Sequence, residues 1–516
     1  LNKFLLLNTI KLMLMMFPRI SSLFFFFVVF FMTHCSKENK NTLFYSVDPK
    51  FSGVQAVNTI KSTNELNVFK YRNFYNGGGV GLGDINNDGL IDIYITRNLQ
   101  ENKLYLNKGG FQFQDITLNA GVKGQKPWST GVVMVDINND GYLDIYVCNA
   151  GLDSGEQQDN ELFINMQDGT FSEQAEKYNL ADSGITTHAA FFDYDKDGDL
   201  DVYVLNNSFI PVTSLGYNNK RTLRDKEWKV APILKGGGDR LLRNDNGLFK
   251  DVSEEAGIYG SLIGFGLGIT LGDINQDGNI DIYVSNDFYE RDYLYINQGD
   301  GTFIEDIQNQ LNHISHSSMG ADMADIDNDG FAEIFVTDML PREDQRLKET
   351  TEFEGFNIYR LKQEKTFYHQ FMQNTLQRNN QNGTFSEIST FAGVEATDWS
   401  WGALMFDMDS DGYRDIFVSN GIYHELTNQD FVNFFANEVV QTMVLTGEKE
   451  EVMNIINKMP VRPILNHAFK NNKNLSFTDN SMDWGFETPT FSNGSAYGDL
   501  DNDGDVDIVP QNGWYF

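Results

Sequence analysis

The sequence predicts an all-β fold, a seven-bladed β-propeller of four-stranded blades with a few helical insertions. Three observations predict it. An acidic motif returns seven times, each copy runs into an apolar strand, and each complete unit holds four short strand-like pieces. The motif reads Asp-x-Asx-x-Asp-Gly-x-x-(Asp/Glu) and begins at Asp84, Asp136, Asp193, Asp273, Asp325, Asp407 and Asp499. Its first two copies lie 52 residues apart, as do its fourth and fifth, which is the length of a propeller blade.

The second unit shows the internal order. Gly131 to Ile137, Leu143 to Cys148, Glu161 to Asn165 and Thr170 to Glu173 alternate or run apolar over strand lengths. Turn signals such as Gln167-Asp168-Gly169 separate the last two, and the same outer hairpin recurs six times, as in Tyr293 to Asn297. Seven acidic loops against six outer hairpins leave the seventh blade short. The segment Leu43 to Val47 reads as a strand, and it is expected to close the ring by pairing into that blade. Insertions interrupt the pattern at about 209–238, 343–373 and 421–465. Two are expected to be helical, Glu343 to Gln373 and Asn428 to Lys458, the latter with Phe431, Phe434, Phe435, Val439 and Val440 on one stripe. Such insertions either carry ligand specificity or brace neighbouring blades.

The loop spacing points to a hard cation. Side-chain oxygens at positions 1, 3 and 5, a carbonyl at 7 and a carboxylate at 9 form the all-oxygen cage that Ca²⁺ favours, and glycine at position 6 permits the sharp turn. In the first loop the ligands are expected to be Asp84, Asn86, Asp88, the Leu90 carbonyl and Asp92, and in the second Asp136, Asn138, Asp140, the Tyr142 carbonyl and Asp144. The third supplies Asp193, Asp195, Asp197, the Asp199 carbonyl and Asp201, and the fourth Asp273, Asn275, Asp277, the Asn279 carbonyl and Asp281. The fifth supplies Asp325, Asp327, Asp329, the Phe331 carbonyl and Glu333, and the sixth Asp407, Asp409, Asp411, the Tyr413 carbonyl and Asp415. The seventh supplies Asp499, Asp501, Asp503, the Asp505 carbonyl and Asp507, giving up to seven Ca²⁺ in all. An EF-hand needs a bidentate Glu at position 12, where these loops carry Ile95, Val147, Val204, Val284, Val336, Val418 and Pro510. That motif is excluded in every copy.

On these residues, and on Phe74 to Gly79, Trp399 to Gly402 and Phe491 to Gly494, the chain resembles the FG-GAP/VCBS repeat family. More narrowly it resembles bacterial relatives of the cartilage acidic protein group. The resemblance implies calcium binding and adhesion-like recognition. It also implies a following ASPIC/UnbV segment, which this sequence does not contain.

Upstream of each loop lies a candidate ligand ring. Five residues before the first Asp stand Gly79, Gly131, His188, Gly268, Gly320, Gly402 and Gly494, with small hydroxyl or aromatic residues two and three places earlier. Trp128, Ser129, His188, Phe265, Ser318, Trp399, Ser400, Phe491 and Ser492 are therefore candidates for a glycan or small-molecule site on the face opposite the calcium loops. A competing reading is that small residues there only let the inner strands converge.

The remaining expectations concern setting and class. A balance of 73 Asp and Glu against 39 Lys and Arg, a formal charge of -34, repels phosphates and argues against nucleic acid. Residues 1–35 read as a secretory signal whose apolar run Leu23 to Met32 ends at Cys35, the expected lipidation site, although His34 stands where a lipobox has a small residue. The mature part, 36–516, is then the propeller, exported as an outer-membrane or cell-surface lipoprotein that meets the membrane only through its lipid. Besides Cys35 only Cys148 is present, which excludes a disulfide framework in the mature chain. No His-Glu-x-x-His, Gly-x-Ser-x-Gly or phosphate loop occurs, so the expectation is a binding, adhesion or scaffold protein for glycans or protein partners and not an enzyme. A propeller-based polysaccharide-degrading enzyme is the alternative.

Overall fold

In the computed structural model, the described residues are 42–150, 158–208, 221–224, 227, 237–260, 262–351, 354–447 and 451–512. Cys35, the signal segment and most of the 209–238 insertion lie outside them.

Six four-stranded antiparallel sheets follow one another along the chain, each a meander in which sequence neighbours pair. The first comprises Val80–Gly83, Asp92–Ile95, Lys103–Asn107 and Phe113–Asp115. The seventh acidic loop joins a sheet of only two strands, Ser492–Gly498 and Asp507–Asn512. The expected seven-bladed propeller is thus corrected to six four-stranded blades, with a hairpin set between the sixth and the first. Its first strand packs against both Ser400–Phe406 and Val80–Gly83. Leu43 to Val47 forms no strand. Within the propeller unit, Phe44 instead donates its N–H to the Trp484 carbonyl at 2.8 Å and packs on Phe486.

The second strand of each blade, such as Asp144–Asn149 or Asp281–Asn286, is buried along its whole length. Both of its faces are covered by neighbouring blades, which is why these segments read as continuous apolar runs. The core is accordingly a series of wedges between blades. One wedge joins Tyr203 and Leu205 of the third blade to Ile282, Tyr293 and Tyr295 of the fourth. Hydroxyls stitch adjacent blades: Thr130 Oγ1 donates to the Thr186 carbonyl at 2.6 Å, Thr187 Oγ1 to that of Gly266 at 2.7 Å and Thr337 Oγ1 to that of Trp401 at 3.0 Å.

A further apolar cluster caps the end of the ring away from the acidic loops. It joins Ile60, Val68, Tyr71, Phe74 and Tyr75, from before the first blade, to Trp128, Ile422 and Met459. The 343–373 insertion forms helices Asp344–Thr350 and Phe356–Glu364, and the 421–465 insertion forms Ala436–Thr446 and Val452–Asn457. The first is a brace. Arg346 forks onto Asp398 at 2.8 and 2.9 Å and also pairs with Glu425, while buried Lys362 reaches His316 Nε2 at 2.9 Å. From the 209–238 insertion, Arg221 bridges Glu290 and Thr366.

Candidate functional site

The seven loops repeat one hydrogen-bond scheme. The position-1 carboxylate accepts the N–H groups of positions 5 and 6, as when Asp136 takes Asp140 at 3.0 Å and Gly141 at 2.8 Å. The position-5 carboxylate accepts the N–H of position 7, as Asp88 does from Leu90 at 3.0 Å and Asp411 from Tyr413 at 3.2 Å. The glycine at position 6 takes φ between 80° and 97° across the loops, so the need for a residue without a Cβ is met. Position 4 is also left-handed, at Asn87, Asn139, Lys196, Gln276, Asn328, Ser410 and Asn502. Sequence reasoning missed this, although Asn at four of those seven places is a residue type that tolerates the conformation.

Position 9 carries more than a ligand role. It opens the second strand and is buried in the six blades, and its two oxygens accept two backbone N–H groups. Asp415, for example, takes Met408 N–H at 2.9 Å and Asn471 N–H at 2.7 Å. Burial pushes these carboxyls up, Asp92, Asp144, Asp415 and Asp507 to about 6, Asp201 and Asp281 to about 7 and Glu333 to about 8.

Four loops gather three carboxylates whose nearest oxygens lie within 4.8 Å of one another: Asp193, Asp195 and Asp197; Asp325, Asp327 and Glu333; Asp407, Asp409 and Asp415; Asp499, Asp501 and Asp507. In each, the Oδ1 of position 3 (Asp195, Asp327, Asp409 and Asp501) is buried without a hydrogen-bond partner. A carboxylate oxygen left so costs free energy unless a cation or donor meets it, so these residues fit a metal ion. In the first, second and fourth loops Asn86, Asn138 and Asn275 stand at position 3, and each accepts or donates hydrogen bonds to the position-5 residue.

The expected ligand ring is placed differently from expectation. Among its nine members only His188 lines the central cavity, a space of about 310 Å³ that also exposes Asn73, Asp322, Trp401 and Asn493. The glycines five residues before the loops do surround it, and for a steric reason: a Cβ at Gly320 would overlap the Trp401 carbonyl, and one at Gly131 would lie 2.7 Å from that of Thr187. The hydroxyl residues are buried structural partners. Ser129 Oγ donates to Asn149 Oδ1 at 2.9 Å, Ser318 Oγ to Asp292 at 2.8 Å, Ser400 Oγ to the Asp398 carbonyl at 2.9 Å and Ser492 Oγ to Asn512 at 2.7 Å. The aromatics belong to the cap and its surroundings: Trp128 packs edge-on to Tyr71 at 5.0 Å, Phe265 on Phe288 at 4.7 Å, Phe491 on Tyr423 at 5.6 Å and Trp399 beside Trp401 at 6.3 Å. Residues 60–75, which have no copy in the repeat, cover the position that the repeat alone leaves open.

Within the cavity wall, burial holds the His188 imidazole below its usual range, and its Nδ1 accepts the Ala189 N–H at 2.8 Å. Asn73 is 3% exposed and its Nδ2 has no partner. Asp322 accepts Met405 N–H at 2.7 Å and is pushed up to about 6 by burial.

A ring of meander blades whose inner hairpins end in acidic loops defines a repeat β-propeller. A family model described as FG-GAP-like repeat matches residues 84–147, 150–204, 273–336 and 367–418, so this part of the propeller carries FG-GAP-like repeats. It is 31% identical over 142 residues to Cartilage acidic protein 1 of Xenopus tropicalis, a stretch that is 27% of this chain and 21% of that protein. Among solved structures it is similar to an Agrocybe aegerita lectin that recognises non-reducing terminal N-acetylglucosamine, with TM-score 0.42 and 13% identity over 85% of this chain and 86% of that one. It is also similar to a Bacillus licheniformis rhamnogalacturonan lyase, with TM-score 0.33 and 12% identity over 83% of this chain and 64% of that one. Among the described residues, no helix is long and apolar enough to cross a membrane.

Proposed function

We propose that the chain is an exported, lipid-anchored surface module whose loops bind calcium and whose capped face and insertions recognise a glycan or protein partner without catalysing a reaction. The carrying observation is the buried, unpartnered position-3 oxygen in four loops, each inside a carboxylate cluster. Oxygen-only donors and a turn built around the position-6 glycine suit Ca²⁺ better than Mg²⁺, which keeps several waters and seldom accepts an all-protein cage. With site dissociation constants near 10⁻⁵ M in a millimolar-calcium medium, each ion stabilises the fold by about 2.7 kcal/mol.

Near the cap, Asp338 is committed to structure: its Oδ2 accepts Ser315 Oγ and the N–H groups of His316, Ser317 and Gln373. The test of the metal reading is elemental analysis together with melting curves before and after chelation. Bound calcium and a lower melting temperature on chelation are expected; identical curves and no metal would sink it. Glycan-array and pull-down screening of the full chain then separates a glycan from a protein partner, and turnover of a polysaccharide would replace both.

A further inference from the structure

Loop position 3 has two chemistries, and a residue far from it in sequence follows the choice. It is Asn86, Asn138 and Asn275 in the first, second and fourth loops, and Asp195, Asp327 and Asp409 in the third, fifth and sixth. In the third strand of each blade, the residue before the terminal Asn is Leu106, Ile164 and Ile296 in the first group but Arg243, Arg378 and Lys470 in the second. The six four-stranded blades divide without exception: amide with aliphatic, carboxylate with cation.

Strand register explains how two such distant residues meet. The terminal Asn of the third strand donates its N–H to the position-9 acid, as Asn471 does to Asp415 at 2.7 Å, so the preceding side chain stands beside the loop. Lys470 Nζ pairs with Asp409 Oδ2 and lies 3.3 Å from Asp411 Oδ2, which Lys473 Nζ also approaches at 3.3 Å. Arg378 Nη2 lies 3.3 Å from Asp327 Oδ2 and 4.0 Å from Asp329 Oδ2. Arg243 is looser, forking onto Asp245 at 2.8 and 3.2 Å, yet its charge still acts on Asp195 and the two border one depression. In the other group the aliphatic counterparts join the apolar wedges instead.

We infer that Arg378 and Lys470 are tethered counter-cations that occupy the fifth and sixth loops when no metal is bound and must let go when calcium enters. The inference rests on the calcium reading above. A fourth carboxylate raises both the pull on a dication and the repulsion within an empty loop. A cation on a flexible stem offsets that repulsion, and the same cation opposes the incoming ion. The pairing therefore levels affinity, keeping loops of three and of four carboxylates responsive in one range of calcium. It also sets which loops depend least on metal for their shape, because the fifth and sixth carry their own neutralising charge.

The test is a calcium titration of the intact protein followed by hydrogen–deuterium exchange, which reads each loop through its own peptide. In Lys470→Met, whose side chain matches the apolar type found at Leu106, the midpoint of the 407–415 peptide is expected to fall about tenfold in calcium concentration, the size of removing one charge close to a dication. The 84–92 peptide keeps its midpoint. Adding Asp409→Asn to Lys470→Met recreates the first-loop pairing and brings the midpoint back towards the wild-type value, while the metal-free protein with Lys470→Met alone melts at a lower temperature than wild type. An unchanged or higher midpoint in Lys470→Met overturns the inference while leaving calcium binding intact. Wild-type loops that show no calcium-dependent exchange overturn the calcium reading as well.

Discussion

Asp292→Asn is expected to stabilise the protein at pH 8 and by less than half as much at pH 5. The residue just before the third strand is Asn102, Asn160, Asn374 or Asn466 in four blades, and Asp239 or Asp292 in the third and fourth. Asn160 shows what the amide does there: its Oδ1 accepts Asn149 N–H at 2.8 Å, and its Nδ2 donates to Tyr146 Oη at 2.9 Å and Thr186 Oγ1 at 3.1 Å. Asp292 has the same neighbours in kind, accepting Asn286 N–H at 2.7 Å, Tyr283 Oη–H at 2.6 Å and Ser318 Oγ–H at 2.8 Å. An Asn therefore fits once the two hydroxyls turn from donating to accepting. Burial raises the Asp292 carboxyl from 3.8 to about 7. Because the folded value lies above the unfolded one, the folded state holds the proton more tightly. The group's contribution is intact below about pH 4 and is lost as pH rises towards 7. Three pH units set a ceiling of about 4 kcal/mol, and the relaxation of real interiors brings the expected gain of the variant at pH 8 to about 2 kcal/mol. Denaturant midpoints of both proteins from pH 5 to pH 8 in saturating calcium measure it. Parallel curves, or a variant that is less stable at pH 8, would refute the reasoning.

Two further substitutions probe the ring and its brace. Gly320→Ala drives a methyl group into the Trp401 carbonyl, so neighbouring inner strands must part; a loss of about 1–3 kcal/mol in chemical denaturation is expected. Arg346→Met strands Asp398 and Glu425 together in a partly buried site and is expected to cost about 3 kcal/mol locally. Hydrogen exchange should then rise in helix Asp344–Thr350 while the blade strands stay protected.

Much of the scaffold is legible from residue order because each blade repeats the same local conflict between apolar strands and acidic turns. Asp-x-Asn-x-Asp-Gly followed by Leu-Ile-Asp-Ile-Tyr-Ile fixes a turn and then a fully buried strand at the first blade, and the structure keeps both. Six outer hairpins against seven acidic loops are legible, but the seventh loop reads as a blade because an acidic loop marks only an inner hairpin, and the outer strand expected from Leu43 to Val47 does not form. Trp128 and Phe491 were misread for a related reason. Repetition locates a residue within its unit, whereas Tyr71, Phe74 and Tyr423, which cover those rings, lie in segments with no second copy. The link between Asp409 and Lys470 was present as a pattern across six units, and only strand register shows that the two side chains touch.

The loops also do not act alone, and the terminal Asn of the third strand shows why. Asn471 gives its N–H to Asp415 of its own loop, and its Nδ2 to the Arg414 carbonyl and to the Ile326 carbonyl of the preceding loop, each within 2.9 Å. Asn165, Asn297, Asn379 and Asn107 reach Ile85, Tyr194, Ile274 and Leu500 in the same way, the last joining the first blade to the closing hairpin. The position-2 residue of these loops is thereby fixed from two sides, its N–H by its own position-9 acid and its carbonyl by the next blade. On the calcium reading, order imposed on one loop by an ion is passed across the wedge to its neighbour, and removing calcium is expected to loosen the contact between blades as well as the turn that holds the metal.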